Sequence, residues 1–249
     1  DILNVLYNCI LNIDPANPQD PDRDRYIHSK GHSVEALYVV LADRGFFPAE
    51  WLDTFEKFGT KLIGHPTRKV PGIEQNTGAL GHGLPLAVGA ALAARKDAAR
   101  SGERPFRVFT ILGDGELTEG SVWEASLSAA HYRLDNLTVI VDRNGLQITG
   151  RTESVMTLEP LEEKFRAFGY AVRSVAGNDV AALCAVFDAL PFESGKPSLV
   201  LARTTKGKGV SYMENNAAWH HRVPNDAEYA QAMAELEAAE IAASRQQFA

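Results

Sequence analysis

Cysteine and long apolar runs are nearly absent from this chain, and both absences narrow what it can be. Its 249 residues include two cysteines, Cys9 and Cys184, which lack metal-ligand spacing. Both fall in apolar helical patterns and read as buried thiols in a reducing cytosol. No stretch is long and apolar enough to span a bilayer, and no signal peptide is visible. Positive charge is also in short supply: 25 Lys and Arg against 32 Asp and Glu leave a net charge of −7. That balance argues against nucleic acid as the main partner, because phosphate backbones select basic surfaces. Any positive site for a phosphorylated ligand must therefore be local. The G-x-x-x-x-G-K-[ST] phosphate loop of nucleotide enzymes appears nowhere. Internal repeats, low-complexity tracts and linkers are missing too.

What remains is an ordinary globular composition, 45% hydrophobic and 23% charged, long enough to bury a real core. Residues 1–249 are expected to form one domain. The segment DILNVLYNCILNI places Ile2, Leu6, Cys9, Ile10 and Ile13 on one helical stripe. Arg25–His28 reads as a short strand, and Ser29–His32 as the turn into a helix over 33–43. Helices are predicted over 49–58, 84–100, 118–133, 161–168, 179–190 and 226–243, and strands over 108–112, 137–141, 170–175 and 198–202. This alternation predicts an α/β fold, a doubly wound, mainly parallel sheet flanked by helices. Two long loops, 64–83 and 203–225, interrupt it, and long loops inside compact domains are more often functional than idle.

The densest chemistry lies between Val108 and Gly150. One apolar run ends at Gly113-Asp114-Gly115, a helix follows, and a second run ends at Asp142-Arg143-Asn144-Gly145. A right-handed βαβ crossover puts both turns at one edge of the sheet, where such folds bind ligands. Asp114 and Asn144 then offer two oxygens to one hard cation, Mg²⁺ or Ca²⁺. The flanking glycines let a phosphate approach the backbone. Two plainer readings compete: Asn144-Gly145 as a type I′ turn, and Ser121-x-x-Glu124 as a capping box.

With the TEG that follows GDG, these motifs resemble those of thiamine-diphosphate enzymes, and specifically the cofactor-diphosphate half of transketolase. The resemblance extends to SKGH, GHP, TGALGHG, KGKG and AWHH, and so to nearly the whole chain. It implies Asp114, Asn144 and the Leu146 carbonyl as metal ligands, and Gly115 as a backbone donor to the diphosphate. Ile148 is implied as a wall near the thiazolium, and Gly78, Ala79 and Leu80 as contacts to the aminopyrimidine. His32, His65 and His220 are implied as proton-handling and hydroxyl-binding groups, with His32, His220 and Lys206 also near the diphosphate. Lys30 carries two readings, a role beside His32 and a plain surface charge. Glu119 and Glu124 match acids of a carboxylate network that joins two cofactors across a subunit interface.

Two departures stand out. His82 replaces the usual Gln, and His221 replaces the Gly of WHG, which leaves open whether His220 or His221 turns inward. The glutamate that activates the cofactor belongs, in this family, to a separate pyrimidine-binding domain, and the SGHPGGS motif should precede residue 1. The resemblance therefore implies the N-terminal subunit of a split transketolase, in a dimer of pairs formed with a separate C-terminal partner subunit. The implied reaction is transfer of a two-carbon ketol unit from a ketose phosphate to an aldose. The alternatives are the alpha subunit of a 2-oxo acid dehydrogenase or decarboxylase, and a non-catalytic cofactor-binding subunit.

Overall fold

Three strands in this chain are apolar on both faces, and strands of that kind are stable only between two layers of helices. The computed structural model, which describes residues 1–247, has that arrangement. In chain order the strands are β1 (Arg25–His28), β2 (Val108–Gly113), β3 (Leu137–Arg143), a short hairpin of β4 (Leu146–Gln147) and β5 (Gly150–Arg151), β6 (Ala171–Ala176) and β7 (Ser198–Arg203). The five long strands form one parallel sheet in the order β1-β2-β3-β7-β6. Register is set along the fully buried runs, with Val108 beside Leu137 and Thr138 beside Ser198.

The helices are α1 (Ile2–Val5), α2 (Val34–Asp43), α3 (Gly83–Ser101), α4 (Gly120–His131), α5 (Thr152–Val155), α6 (Leu161–Ala167), α7 (Val180–Asp188) and α8 (Asp226–Gln247). Alternation along the strands divides the core in two. Phe109, Ile111, Ile140, Val200 and Ala202 pack with residues of α1, α2 and α7. Val108, Leu112, Val139, Val141, Leu199 and Leu201 pack with those of α3, α4 and α6. Small buried residues, Ala87, Ala91 and Ala94, let α3 lie close to the sheet. Gly102, at φ +80°, closes that helix with the left-handed residue a C-terminus favours. Asp179 opens α7 by accepting a hydrogen bond from the Ala182 N–H.

Several expectations need correction. The first helix ends at Ile10, its last turn widened to a π turn over Leu6–Ile10, rather than at residue 13. Cys9 is exposed and Cys184 half-buried, so neither is the buried thiol the apolar pattern implies. Residues 49–54 make a 3₁₀ turn instead of an α-helix. The β4–β5 hairpin and α5 have no counterpart among the predicted elements, since two-residue strands carry no periodicity. Glu119 is the N-cap of α4 and makes no side-chain cap, while Ser121 donates to the Gly81 carbonyl at 2.8 Å, so the capping box does not form.

One topological feature positions the site. The chain leaves β1 toward α2 on one face of the sheet and leaves β2 toward α4 on the other. Divergent exits of this kind open a crevice at the carboxyl ends of the strands.

Candidate active site

At one end of the crevice, Asp114 stitches β2 to β3. Its carboxylate is 1% exposed. Oδ1 accepts from the Gly115 N–H at 2.8 Å, and Oδ2 accepts from the Gly145 N–H at 2.7 Å and from Arg143 Nη1 at 2.9 Å. Burial pushes its pKa up, and the bonds from Arg143 and Gly145 oppose that shift. Arg143 is itself buried and also donates to Thr152 at 2.6 Å and Glu153 at 2.7 Å. Asn144 accepts from the Leu146 N–H at 3.0 Å. Gly145 has φ +76° but Asn144 is not in the positive-φ region, so the turn is not type I′.

The other end is cationic. Lys30 pairs with Asp142, which also accepts from the Thr204 hydroxyl. Burial alone would raise the Asp142 pKa, but Lys30 and these hydrogen bonds outweigh it and hold the carboxyl low. Lys30 is thus neither a plain surface charge nor a free cation. Lys206 differs: among the described residues it has no ion-pair partner, and its pKa is lowered by burial first and then by Lys30. His32 and His220 stack with ring centroids 5.2 Å apart at 25°. Burial, followed by the neighbouring lysines, pushes both down to about 4. Both imidazoles are therefore neutral at pH 7. His220 Nδ1 is buried without a hydrogen-bond partner. His220 is half-buried and His221 exposed, so the inner of the two is His220.

A cleft of about 660 Å³ lies between these ends. Asp114, Gly115, Asn144 and Leu146 line one wall, and His32, Lys206 and His220 another. Gly78, Leu80, Glu119 and Ile148 also line it, as do Lys30, Glu116 and His221. Ile148, at the tip of the β4–β5 hairpin, is 61% exposed. Three sequence candidates stand outside: Ala79 and Glu124 are exposed and do not line it, and neither does His65. His65 packs instead on Gly78, where an added Cβ would come within 2.7 Å of its ring. Gly31 in turn packs on Gly78, its own Cβ position 2.8 Å from the Gly78 nitrogen. The loop after β1, the 64–83 loop and His65 are therefore layered on glycine, and side chains at either position would push the layers apart.

Three residues of the site carry no recognisable signal in the sequence: Arg143, Asp142 and Glu116. Arg143 and Asp142 stand in plain view inside the DRNG turn, yet nothing in one sequence pairs them with Asp114 and Lys30. Glu116 is 2% exposed and accepts hydrogen bonds from Ser29, Gly81 and Gly113. Its partners come from three separate segments, so no spacing rule finds it.

The donor set fits a diphosphate with a hard cation. The Lys206 ammonium, without an ion-pair partner among the described residues, lines the cleft where an anion would satisfy it, and His220, whose Nδ1 is buried without a partner, lines it too. A carboxylate and an amide oxygen, with a backbone carbonyl nearby, are the chemistry Mg²⁺ or Ca²⁺ selects. Among the described residues no group of three His, Cys, Asp or Glu side chains is placed to hold a metal. A cation here would depend on the amide and backbone oxygens.

Fold and cleft define an α/β domain that takes its ligand at the carboxyl edge of a parallel sheet. Comparison with known proteins narrows this class. The family described as "Transketolase, thiamine diphosphate binding domain" matches residues 1–246. The chain is 47% identical over 236 residues to one of the subunits of apulose-4-phosphate transketolase from Phocaeicola vulgatus, covering 95% of this chain and 82% of that protein. It is 43% identical over 238 residues to a 6-deoxy-6-sulfo-D-fructose transketolase subunit of Clostridium sp. (strain MSTE9), covering 95% and 85%. Among solved structures, transketolase from Campylobacter jejuni superposes with a TM-score of 0.86 at 31% identity, over 95% of this chain and 37% of that one. Transketolase from Leishmania mexicana gives 0.79 at 29% identity, over 98% and 41%. The chain thus spans about two fifths of those solved transketolases. The chain belongs to the transketolase family, in its thiamine-diphosphate-binding part, and is a transketolase-type transferase.

Proposed function

We propose that this chain is the cofactor-diphosphate subunit of a two-subunit transketolase, transferring a two-carbon ketol unit from a ketose phosphate to an aldose. The observation that carries the reading is the Lys206 ammonium, without an ion-pair partner among the described residues, lining one cleft with the neutral His32–His220 stack, Asp114 and Asn144. In this reading Lys206 and His220 bind the cofactor's diphosphate, with the Gly115 N–H as a further donor. Asp114, Asn144 and the Leu146 carbonyl hold Mg²⁺ or Ca²⁺. Gly78, Ala79 and Leu80 offer backbone and apolar surface to the aminopyrimidine, and Ile148 walls the thiazolium. When bound, thiamine diphosphate would supply the carbanion chemistry of a two-carbon transfer.

The chain's own groups do the rest. His32 and His220, neutral and stacked, can each take or give a proton at a ring nitrogen near the reacting oxygens. His65 reaches the substrate's hydroxyls from the rim. Glu119, which lines the cleft, and Glu124, which is exposed on α4, would join a carboxylate network with a second copy. The chain is read as one domain working in the cytoplasm, where phosphorylated sugars are made. It joins a separate subunit carrying the pyrimidine-binding domain, and two such pairs assemble through the α4 end. Among the described residues no helix is long and apolar enough to cross a membrane.

The test is calorimetric titration of thiamine diphosphate into the chain with its partner subunit, with and without Mg²⁺, followed by a ketol-transfer assay over a panel of ketose phosphates and aldoses. Saturable, Mg²⁺-dependent binding and transfer of two carbons are expected. Metal-independent binding, or release of carbon dioxide from 2-oxo acids instead of transfer, would overturn the reading.

A further inference from the structure

Glu116 belongs to none of the roles above, yet its carboxylate accepts three hydrogen bonds, as many as Asp114, from three separate segments. Its Oε1 accepts from the Gly81 N–H at 2.8 Å and from the Ser29 hydroxyl. Its Oε2 accepts from the Gly113 N–H at 3.1 Å. Among the described residues no Lys, Arg or His forms an ion pair with it. Ser29 is fully buried.

An ionised carboxylate without a cation is tolerated in a protein interior only while its oxygens are met by donors. Those donors come from three segments far apart in the chain. Ser29 precedes Lys30 and His32 in the loop after β1. Gly81 closes the 64–83 loop just beyond Gly78 and Leu80. Gly113 ends β2, immediately before Asp114 and Gly115. Each segment carries residues that line the cleft, and their backbones already touch. A Cβ on Gly83 would run into the Ser29 side chain, and one on Gly81 would lie 2.5 Å from Ser121 Oγ. At that packing density the loops fit together in one arrangement, and a single acceptor at their meeting point selects it.

We propose that Glu116 is a positioning residue that gathers these three loops around one carboxylate, so that the cleft is formed before any cofactor arrives. The inference rests on the reading that the cleft holds thiamine diphosphate, but its effect on loop order does not. Replacing one acceptor oxygen by an NH₂ group, as in Glu116→Gln, turns a donor toward donors without changing the side chain's size. Removing one donor, as in Ser29→Ala, should act in the same direction and more weakly.

The experiment uses wild type, E116Q, S29A and a control, V139A, a mid-sheet core truncation that lowers Tm without touching the loops. Amide hydrogen exchange over residues 77–83 and 113–115 is measured without cofactor. Thiamine diphosphate affinity is measured calorimetrically with Mg²⁺ and the partner subunit. Exchange at Gly81 and Gly113 is expected to quicken at least about 10-fold in E116Q, and cofactor affinity to fall about 10- to 100-fold, as for partners that orient a ligand group. S29A should show a smaller shift of the same kind, and V139A neither at a comparable loss of Tm. Unchanged protection together with affinity within twofold of wild type in E116Q would overturn the proposal, as would equal effects in V139A. If wild type itself binds no thiamine diphosphate, the cofactor reading fails and exchange alone decides the role of Glu116. If E116Q does not fold, S29A decides it by the same two measurements.

Discussion

The two ends of the cleft are built on opposite principles. At the acidic end both carboxylate oxygens of Asp114 have protein partners, in Gly115, Gly145 and Arg143. At the cationic end Lys206 has no counter-ion among the described residues and His220 Nδ1 has no partner. The first end is complete in the free protein and contributes to its stability. The second is stored in an unsatisfied state that costs stability and is relieved only by an anion. Substitutions at the two ends should therefore affect folding and binding with different signs.

The largest effect is expected at the acidic end. Asp114→Asn removes the charged ligand and leaves the Arg143 guanidinium, buried at 8% exposure, facing a neutral amide. Metal-dependent binding of thiamine diphosphate should fall by at least about 100-fold, beyond what orienting partners alone cost. The cofactor-free chain should also lose about 1–2 kcal/mol, because one charge-assisted hydrogen bond to a buried carboxylate is lost while Glu153 and Glu159 still pair with Arg143. Calorimetry with Mg²⁺ and thermal unfolding read the two quantities, and an unchanged Tm would break the contrast between the ends.

Lys206→Met tests the opposite end. One charge-assisted hydrogen bond is lost, so cofactor affinity should drop about 10-fold or somewhat more. The cofactor-free chain, however, should unfold at the same or a higher temperature, since a half-buried cation without a partner is removed. A fall in both affinity and Tm would mean that Lys206 has a partner in the free protein after all.

A smaller effect comes from pH. His28 is pushed down to about 3, and His32 and His220 to about 4, burial being the first cause in each. Their unfolded values sit near the ordinary value of about 6.5, so below that pH the unfolded chain binds more protons than the native one. Their contribution to stability is therefore present above about pH 6.5 and lost as the pH falls toward about 4. Denaturant melts of the cofactor-free protein between about pH 7 and pH 4 should show this decline, and His220→Gln should flatten it. Diphosphate binding should raise the His32 and His220 pKa values, which imidazole nitrogen shifts can follow.

The smallest effect belongs to Ile148→Ala. At a hairpin tip with no core contact, it should leave Tm within experimental scatter and weaken cofactor binding only a few-fold. A large loss of Tm would show that the β4–β5 hairpin supports the acidic end as well as walling the cleft.

Much of this is legible in the amino-acid sequence. The strands β1, β2, β3, β6 and β7 fall within a residue or two of their predicted positions, and for β2, β3 and β7 the reason is that buried parallel strands write themselves as apolar runs. Asp114 and Asn144 stand out because each follows the end of such a run. The first helix, the 49–54 turn and the β4–β5 hairpin depart from expectation because short elements leave too few residues for a period to show. Cys9 is exposed against expectation because an apolar helical pattern does not say which flank the rest of the chain covers.

Local spacing, then, determined by itself the alternating α/β pattern, the acidic turn at the end of β2 and the amide turn at the end of β3, since each depends on neighbours within a few positions. Only tertiary structure decided that Arg143 and Gly145 hold Asp114, that Lys30 is spoken for by Asp142 while Lys206 stays unpaired, and that Glu116 collects Ser29, Gly81 and Gly113. Those pairings span up to 112 positions. Hydrogen bonding and burial act through distances in space, and the chain encodes these distances only through the packing of the whole sheet.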